Sequence, residues 1–120
     1  HVMGRIVDVR EFVSGYAFRP GEGPTRLRLR IADEAAPWND GQFLLTIAED
    51  GAGRLEPAAD ADAVDAPAIA CHIRALSAVL LGDQRPAPLY EDGLFTGDAA
   101  AAEAFEARIP STPTNLIDFF

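Results

Sequence analysis

The chain has 120 residues, 48% of them hydrophobic, with a net charge of −9, the size of one domain with a single core rather than a core plus a separate catalytic lobe. No apolar run approaches the roughly 18 residues of a membrane span and no basic start leads into an apolar leader, so a soluble protein is expected. The acidic balance repels phosphate backbones and anionic lipid surfaces, which argues against nucleic acid and membranes as partners.

Residues 1–3 read as a tag or linker remnant and residues 4–120 as one domain, which leaves His72 as the one native histidine. The segment "RIVDV" (5–9) is short and β-branched and predicts a first strand, followed by a helical turn through "REFVSGYAF" with Phe12 and Tyr16 on one face. "RPGEGP" (19–24) is a loop, and its G-x-G lacks the preceding strand and following helix of a phosphate cradle. "TRLRLRIAD" (25–33) alternates strictly, Leu27, Leu29 and Ile31 on one face and Arg26, Arg28 and Arg30 on the other, which predicts a half-buried strand.

The turn chemistry of "PWNDGQ" (37–42) leads into "QFLLTIAED" (42–50), completing a long hairpin, and "RLEPA" (54–58) predicts a third strand that Pro57 assigns to an edge or a strand end. "ADADAVDAP" (59–67) lacks the central glycine and terminal glutamate of a calcium loop and reads as a solvated connection. Apolar spacing then switches from period two in "AIACHI" (68–73) to helical in "RALSAVLL" (74–81), ended by Gly82. A short helix around Leu89 and Tyr90 and a helix "AAAAEAFEARI" capped by Asp98 and stopped by Pro110 complete an α+β pattern, a sheet covered by helices on one face.

Cys71 is the single cysteine, so no intrachain disulfide or cysteine-based zinc site exists within the chain, and a reducing cytoplasm is the expected location. Cys71 and His72 are consecutive on a predicted strand and point to opposite faces, which excludes a dyad: Cys71 reads as core and His72 as an outward polar residue. The Arg26, Arg28, Arg30 row could bind an anion or face another domain; cross-strand pairing with acidic neighbours such as Glu49 is the plainer expectation. Asp60, Asp62 and Asp65 lie in a loop with nothing to fix a metal geometry, Glu91 and Asp92 on a helix-end surface, and Trp38 and Tyr90 read as packing residues with a polar tip. No metal site is expected. The charged group left over is the terminal carboxylate, carried by Phe120 at the end of the apolar "NLIDFF".

The order of "GRIVDV", the "RLRLRIAD…PWNDGQFLLTI" hairpin, "AIACHIRALSAVLLG", "LYEDGLF", a helix with Phe105, a proline-containing segment and a terminal Phe resembles the C-terminal domain of the enhanced intracellular survival family of GNAT N-acetyltransferases. The likeness runs over residues 4–120. It implies a sterol-carrier-protein-like fold, a mostly antiparallel sheet of about five strands, standing after upstream GNAT domains that bind acetyl-CoA. It further implies a parent enzyme that acetylates small-molecule amines and assembles as a hexamer. The one catalytic assignment it carries to this chain is the Phe120 carboxylate, acting in the intact enzyme; the chain alone is expected to be inactive and to hold no cofactor of its own. A sterol- or lipid-binding carrier without catalytic role is the alternative, and requires a tunnel lined by the inward strand faces and Leu76, Val79 and Leu80.

Overall fold

A computed structural model describes residues 5–58 and 65–110. Its elements follow the chain as α1 (Val9–Gly15), β1 (Thr25–Ala32), β2 (Gly41–Ile47), β3 (Gly53–Pro57), β4 (Ala68–His72), α2 (Ile73–Leu80), α3 (Pro86–Glu91), β5 (Phe95–Gly97) and α4 (Ala99–Arg108). The alternating arginine strand is the centre of the sheet. β1 pairs antiparallel with β2 from Thr25–Ile47 to Ile31–Gly41, and β2 pairs antiparallel with β3. This meander buries Leu27, Leu29 and Ile31 with Phe43, Leu45, Ile47 and Leu55.

β4 then crosses to the free side of β1 and runs parallel to it, Leu29 opposite Ile69 and Ile31 opposite Cys71. β5 adds antiparallel to β4, so the order is β3-β2-β1-β4-β5. The sheet is therefore mixed: three of its pairings are antiparallel and the one between β1 and β4 is parallel.

The inward side chains of α1, α2, α3 and α4 join those strands in one core, with Val9, Val13, Leu76, Val79, Leu89 and Phe105 among its members. Phe95 of β5 and Phe105 of α4 meet with ring centroids 6.1 Å apart, an aromatic contact within the favourable range. All of this lies on the Leu27–Leu29–Ile31 face of the sheet. The opposite face carries the arginine row.

The expected strand at residues 5–9 is not formed. Asp8 instead caps α1, its carboxylate accepting from Glu11 N at 3.2 Å, and Val9 and Val13 turn into the core at helical spacing. Ile6 is buried, but its N–H donates to Ser77 Oγ of α2 at 2.9 Å rather than to a strand. The fifth strand is β5, three residues long and too short for alternation to reveal. Asp98 occupies the N-cap of α4, as expected, yet its carboxylate accepts from Ala68 N at 2.9 Å, while Asp98 N donates to Ala68 O at 2.8 Å. That two-way exchange ties the start of α4 to the start of β4.

Candidate functional site

The carboxylate of Phe120, with Leu116, Ile117 and Phe119, lies outside the described residues. What the structure describes is the end of α4, the helix that the terminal segment follows. The last carbonyls of any helix lack intrahelical partners and form the negative end of its dipole. Here the Arg85 guanidinium and the backbone N–H of Arg19 reach them.

Arg85 is the N-cap residue of α3, followed by Pro86, whose missing N–H costs nothing in the first turn. Its Nη1 donates to Pro110 O at 2.8 Å, and its Nη2 to Glu106 O and Ile109 O, each at 3.1 Å. Arg85 Nε pairs with the Glu106 carboxylate, whose other oxygen accepts from Ala87 N at 2.9 Å. The bonding is reciprocal: α3 supplies a guanidinium to the end of α4, and α4 supplies a carboxylate to the start of α3. Charge-assisted bonds of this kind are stronger than neutral ones.

Arg108, in the last turn of α4, is only 3% exposed. Its Nη1 donates to Arg19 O at 3.1 Å and Ala48 O at 2.9 Å, its Nη2 to the Gly23 carbonyl, and Arg19 N returns a bond to Arg108 O at 2.8 Å. This buried cation is satisfied by backbone carbonyls. Gly21 lies so close that a Cβ there would sit 2.7 Å from Arg108 Nη2. The "GEG" loop is thus the wall of the Arg108 site, with Gly21 N spent on Glu49 O at 3.0 Å.

Tyr16 packs between Phe12, in a tilted contact, and Phe18, edge to face, with centroids 5.9 and 4.7 Å away. Burial raises its phenol above the usual value, and the charge of Arg85 opposes that rise.

The remaining candidates separate. Cys71 is in the core, and burial pushes its thiol up to about 12, which removes it as a nucleophile. His72 faces outward as expected, but its role is structural. It is the N-cap of α2, with Nδ1 accepting from Arg74 N at 3.1 Å and Nε2 against Glu34 Oε1 at 2.6 Å. Because Nδ1 accepts, the neutral ring carries its proton on Nε2 and donates it to Glu34. The hydrogen bond from His72 in turn lowers the Glu34 pKa.

The expected partner Glu49 is not opposite the arginine row on β2. Arg26, Arg28 and Arg30 stand opposite Thr46, Leu44 and Gln42, and Glu49 lies beyond the end of β2. Arg28 Nε donates to Ala66 O at 2.7 Å. Between this row and β4 the small side chains of Ala68 and Ala70 leave a depression of about 240 Å³, bordered by Arg28, Arg30, Gln42 and Thr96.

Asp60 and Asp62 lie outside the described residues; Asp65 is exposed, as are Glu91 and Asp92 at the end of α3. Trp38, read as a packing residue, is instead 56% exposed, with its indole N–H donated to Val7 O at 2.7 Å. Tyr90 is half-buried and its hydroxyl donates to Gly97 O at 2.8 Å. Among the described residues no group of three or more His, Cys, Asp or Glu could hold a metal ion, and no helix is long and apolar enough to cross a membrane. Arg85, Glu106 and Arg108 were not singled out by sequence reasoning. The usable signals were an arginine directly before a helix-starting proline and another in a helix's last turn.

These features define an α+β domain with one sheet face covered by helices and, among the described residues, no self-contained set of catalytic side chains. The chain belongs to the sterol carrier protein domain family, whose sequence model matches residues 9–116. Among solved structures, it is similar to a conserved protein of Enterococcus faecalis V583 described as a "Probable N-Acyltransferase", at 27% identity and a TM-score of 0.78, over 88% of this chain and 25% of that one. A GCN5-related N-acetyltransferase from Kribbella flavida matches at 26% identity and a TM-score of 0.74, over 90% of this chain and 26% of that one. Eis1 from Mycobacterium abscessus, at 21% identity, covering 90% of this chain and 25% of its own, shares the fold with a TM-score of 0.68. This chain spans about a quarter of the length of these solved chains. No curated protein sequence gives a significant match.

Proposed function

We propose that this chain is the C-terminal domain of an acetyl-CoA-dependent N-acetyltransferase of the enhanced intracellular survival type, shaping the wall of the substrate cleft and delivering the Phe120 carboxylate to the active site. The observation that carries this reading is the pattern of coverage: two solved acyltransferases match about nine tenths of this chain with only about a quarter of their own. The likeness is to one part of a larger enzyme. In this reading the acetyl donor is held by upstream GNAT domains, the acceptor is a small-molecule amine, and the parent assembles as a hexamer in the cytoplasm.

The chemistry left to this domain is proton transfer. An ammonium substrate has no lone pair; a carboxylate within hydrogen-bond reach takes the proton onto its oxygen and leaves the nitrogen free to act as a nucleophile. Leu116, Ile117, Phe119 and Phe120 would serve as apolar anchors holding that carboxylate in place. Lipid carriage, the second reading, draws support from the family but less from the packing. Leu27, Leu45, Ile47, Leu76, Val79 and Leu80, which a carrier would need as tunnel walls, are all buried and pack in one core.

The test is acetyl transfer by the full-length enzyme with one residue appended beyond Phe120, or with Phe120 deleted. A fall in kcat with retained acetyl-CoA binding is expected. Unchanged turnover removes the carboxylate from the mechanism, and a purified domain that retains lipid would favour the carrier.

A further inference from the structure

On the sheet face away from the helices, the strand register brings one polar row together. Gln42 of β2 stands opposite Arg30 of β1, Arg30 opposite Ala70 of β4, and Ala70 opposite Thr96 of β5. Gln42, Arg30 and Thr96 are exposed, and among the described residues none of their side chains has a hydrogen-bond partner. Between Arg30 and Thr96 lies only the methyl group of Ala70, and in the next row Ala68 stands beside Arg28 in the same way. These residues border the depression of about 240 Å³. Alanine is a poor strand former where a β-branched side chain would pack, so the outward positions of β4 give up packing and leave room.

The charges around the depression select its ligand. Arg28 Nε is already bonded to Ala66 O at 2.7 Å and forms a fixed positive wall, whereas Arg30 has no ion-pair partner among the described residues. Acidic side chains at the borders of this face are engaged: Glu56 with Arg54 at 3.6 Å, Asp98 with Ala68 N at 2.9 Å, Glu34 with His72 at 2.6 Å. A guanidinium forks onto the two oxygens of a carboxylate, and Thr96 adds a hydroxyl donor two strand spacings, about 10 Å, across the sheet. One unengaged guanidinium beside neutral donors, in a chain of net charge −9, matches a single negative charge better than a phosphate dianion. The methyl groups of Ala68 and Ala70 and the bare backbone of Gly97 form an apolar floor for the body that carries the carboxylate.

We infer that this depression binds a small organic monocarboxylate, its oxygens bonded by Arg30 and Thr96 and its apolar body lying on Ala68 and Ala70. The site is on the opposite side of the sheet from the core that a lipid tunnel would need, and it does not rest on the function proposed above.

The test titrates the isotope-labelled chain with sodium benzoate at constant ionic strength and follows backbone amide shifts by NMR. Saturating shifts confined to the amides around Arg30, Ala70, Thr96 and Gly97 are expected. Arg30→Gln should weaken binding about tenfold or more, and Thr96→Val, which keeps the shape without the hydroxyl, about threefold or more. Ala70→Leu fills the floor, leaves both arginines in place, and should abolish the shifts. Arg26→Gln, further along the row and outside the depression, should stay within twofold of the wild type. Benzamide, the neutral isostere, should not saturate, and inorganic phosphate should bind more weakly than benzoate.

Shifts that grow without saturating, or that centre elsewhere, overturn the site. Equal weakening by Arg26→Gln and Arg30→Gln also overturns it, since attraction would then belong to the basic row as a whole. Unaltered binding in Ala70→Leu has the same force. Phosphate binding as tightly as benzoate at the same amides overturns the ligand class, and benzamide binding as tightly overturns the role of Arg30. Arg30 and Thr96 are exposed, so their variants decide by the same criteria if Ala70→Leu does not fold.

Discussion

Asn39 Nδ2 donates to Asp33 Oδ2 at 3.0 Å, joining two buried polar side chains on either side of the β1–β2 turn. The same amide accepts from Val9 N at 2.9 Å and donates to Val7 O at 2.9 Å. One side chain thus holds the entry to α1 against the hairpin. Asn39→Ala leaves these buried groups without partners and is expected to cost about 3 kcal/mol. Asn39→Asp should cost more at neutral pH, because it sets a second carboxylate against Asp33. Urea unfolding midpoints of the two variants, with the slope checked for constancy, measure the difference.

Asp33 itself makes stability depend on pH. Burial would raise its pKa, but hydrogen bonds from Asn39, Ala35 N and Arg5, together with the charge of Arg5, outweigh that and hold it below the usual carboxylate range. A carboxyl group with a folded pKa below its unfolded value of about 3.9 stabilises the protein above that value and loses the contribution as pH falls through the folded pKa. Wild-type stability should therefore fall on acidification from pH 5 toward pH 2 more steeply than that of Asp33→Asn. The variant should be the less stable of the two at pH 7, and melting temperatures across that range would show the curves converging.

Gly97 closes β5 with φ at +123°, and a Cβ there would sit 2.5 Å from Ala68 O and 3.0 Å from Ile69 Cα. Those obstacles are backbone atoms of the neighbouring strand. Gly97→Ala is expected to destabilise the domain by about 2 kcal/mol or more. Circular dichroism melting should register the change as a lower midpoint with a native-like baseline, whereas an unshifted midpoint would mean that β5 relaxes at no cost.

His72 acts as a cap, so its replacement should follow capping chemistry. Asparagine is among the best N-cap residues and alanine among the poorest. His72→Asn should stay within about 0.5 kcal/mol of the wild type and His72→Ala should lose about 1 kcal/mol. A larger loss from the asparagine variant in chemical denaturation would show that the contact with Glu34, an exposed side chain, carries more of the stability than capping does.

Much of the sheet was legible because its signal is local. Leu27, Leu29 and Ile31 against Arg26, Arg28 and Arg30 alternate with no exception, and Phe43, Leu45 and Ile47 answer them, so the hairpin follows from residues close in the chain. The switch from Cys71 to Leu76 spacing marked the β4–α2 junction in the same way. What escaped notice depends on distance. The parallel pairing of Leu29 with Ile69 has no signature in either segment, and β5 is recognisable only once β4 is there to receive it. "RIVDV" misled because a β-branched run of five carries about one period of alternation, while Asp8 followed by Glu11 three residues later, a capping pattern, decided for helix. At the α4 end, Glu106 and Arg108 looked like ordinary helix charges, and nothing in the sequence shows that Arg85 comes within bonding distance of Glu106.

The single thiol gives the molecule an internal clock. Cys71 sits between Ile31 of β1 and Phe95 of β5, where a thiol reagent needs both access and a thiolate and the folded state withholds each. Once β4 separates, the sulfur reverts to an ordinary pKa of about 8.5 and reacts at an unhindered rate. Labelling at pH 8 therefore counts openings of the seam where the parallel strand joins the meander, without an introduced probe. Since the same core runs through β1, β4 and α4, labelling should accelerate with urea in step with global unfolding. A weaker urea dependence would identify β4 and β5 as a unit that detaches while the arginine hairpin stays folded.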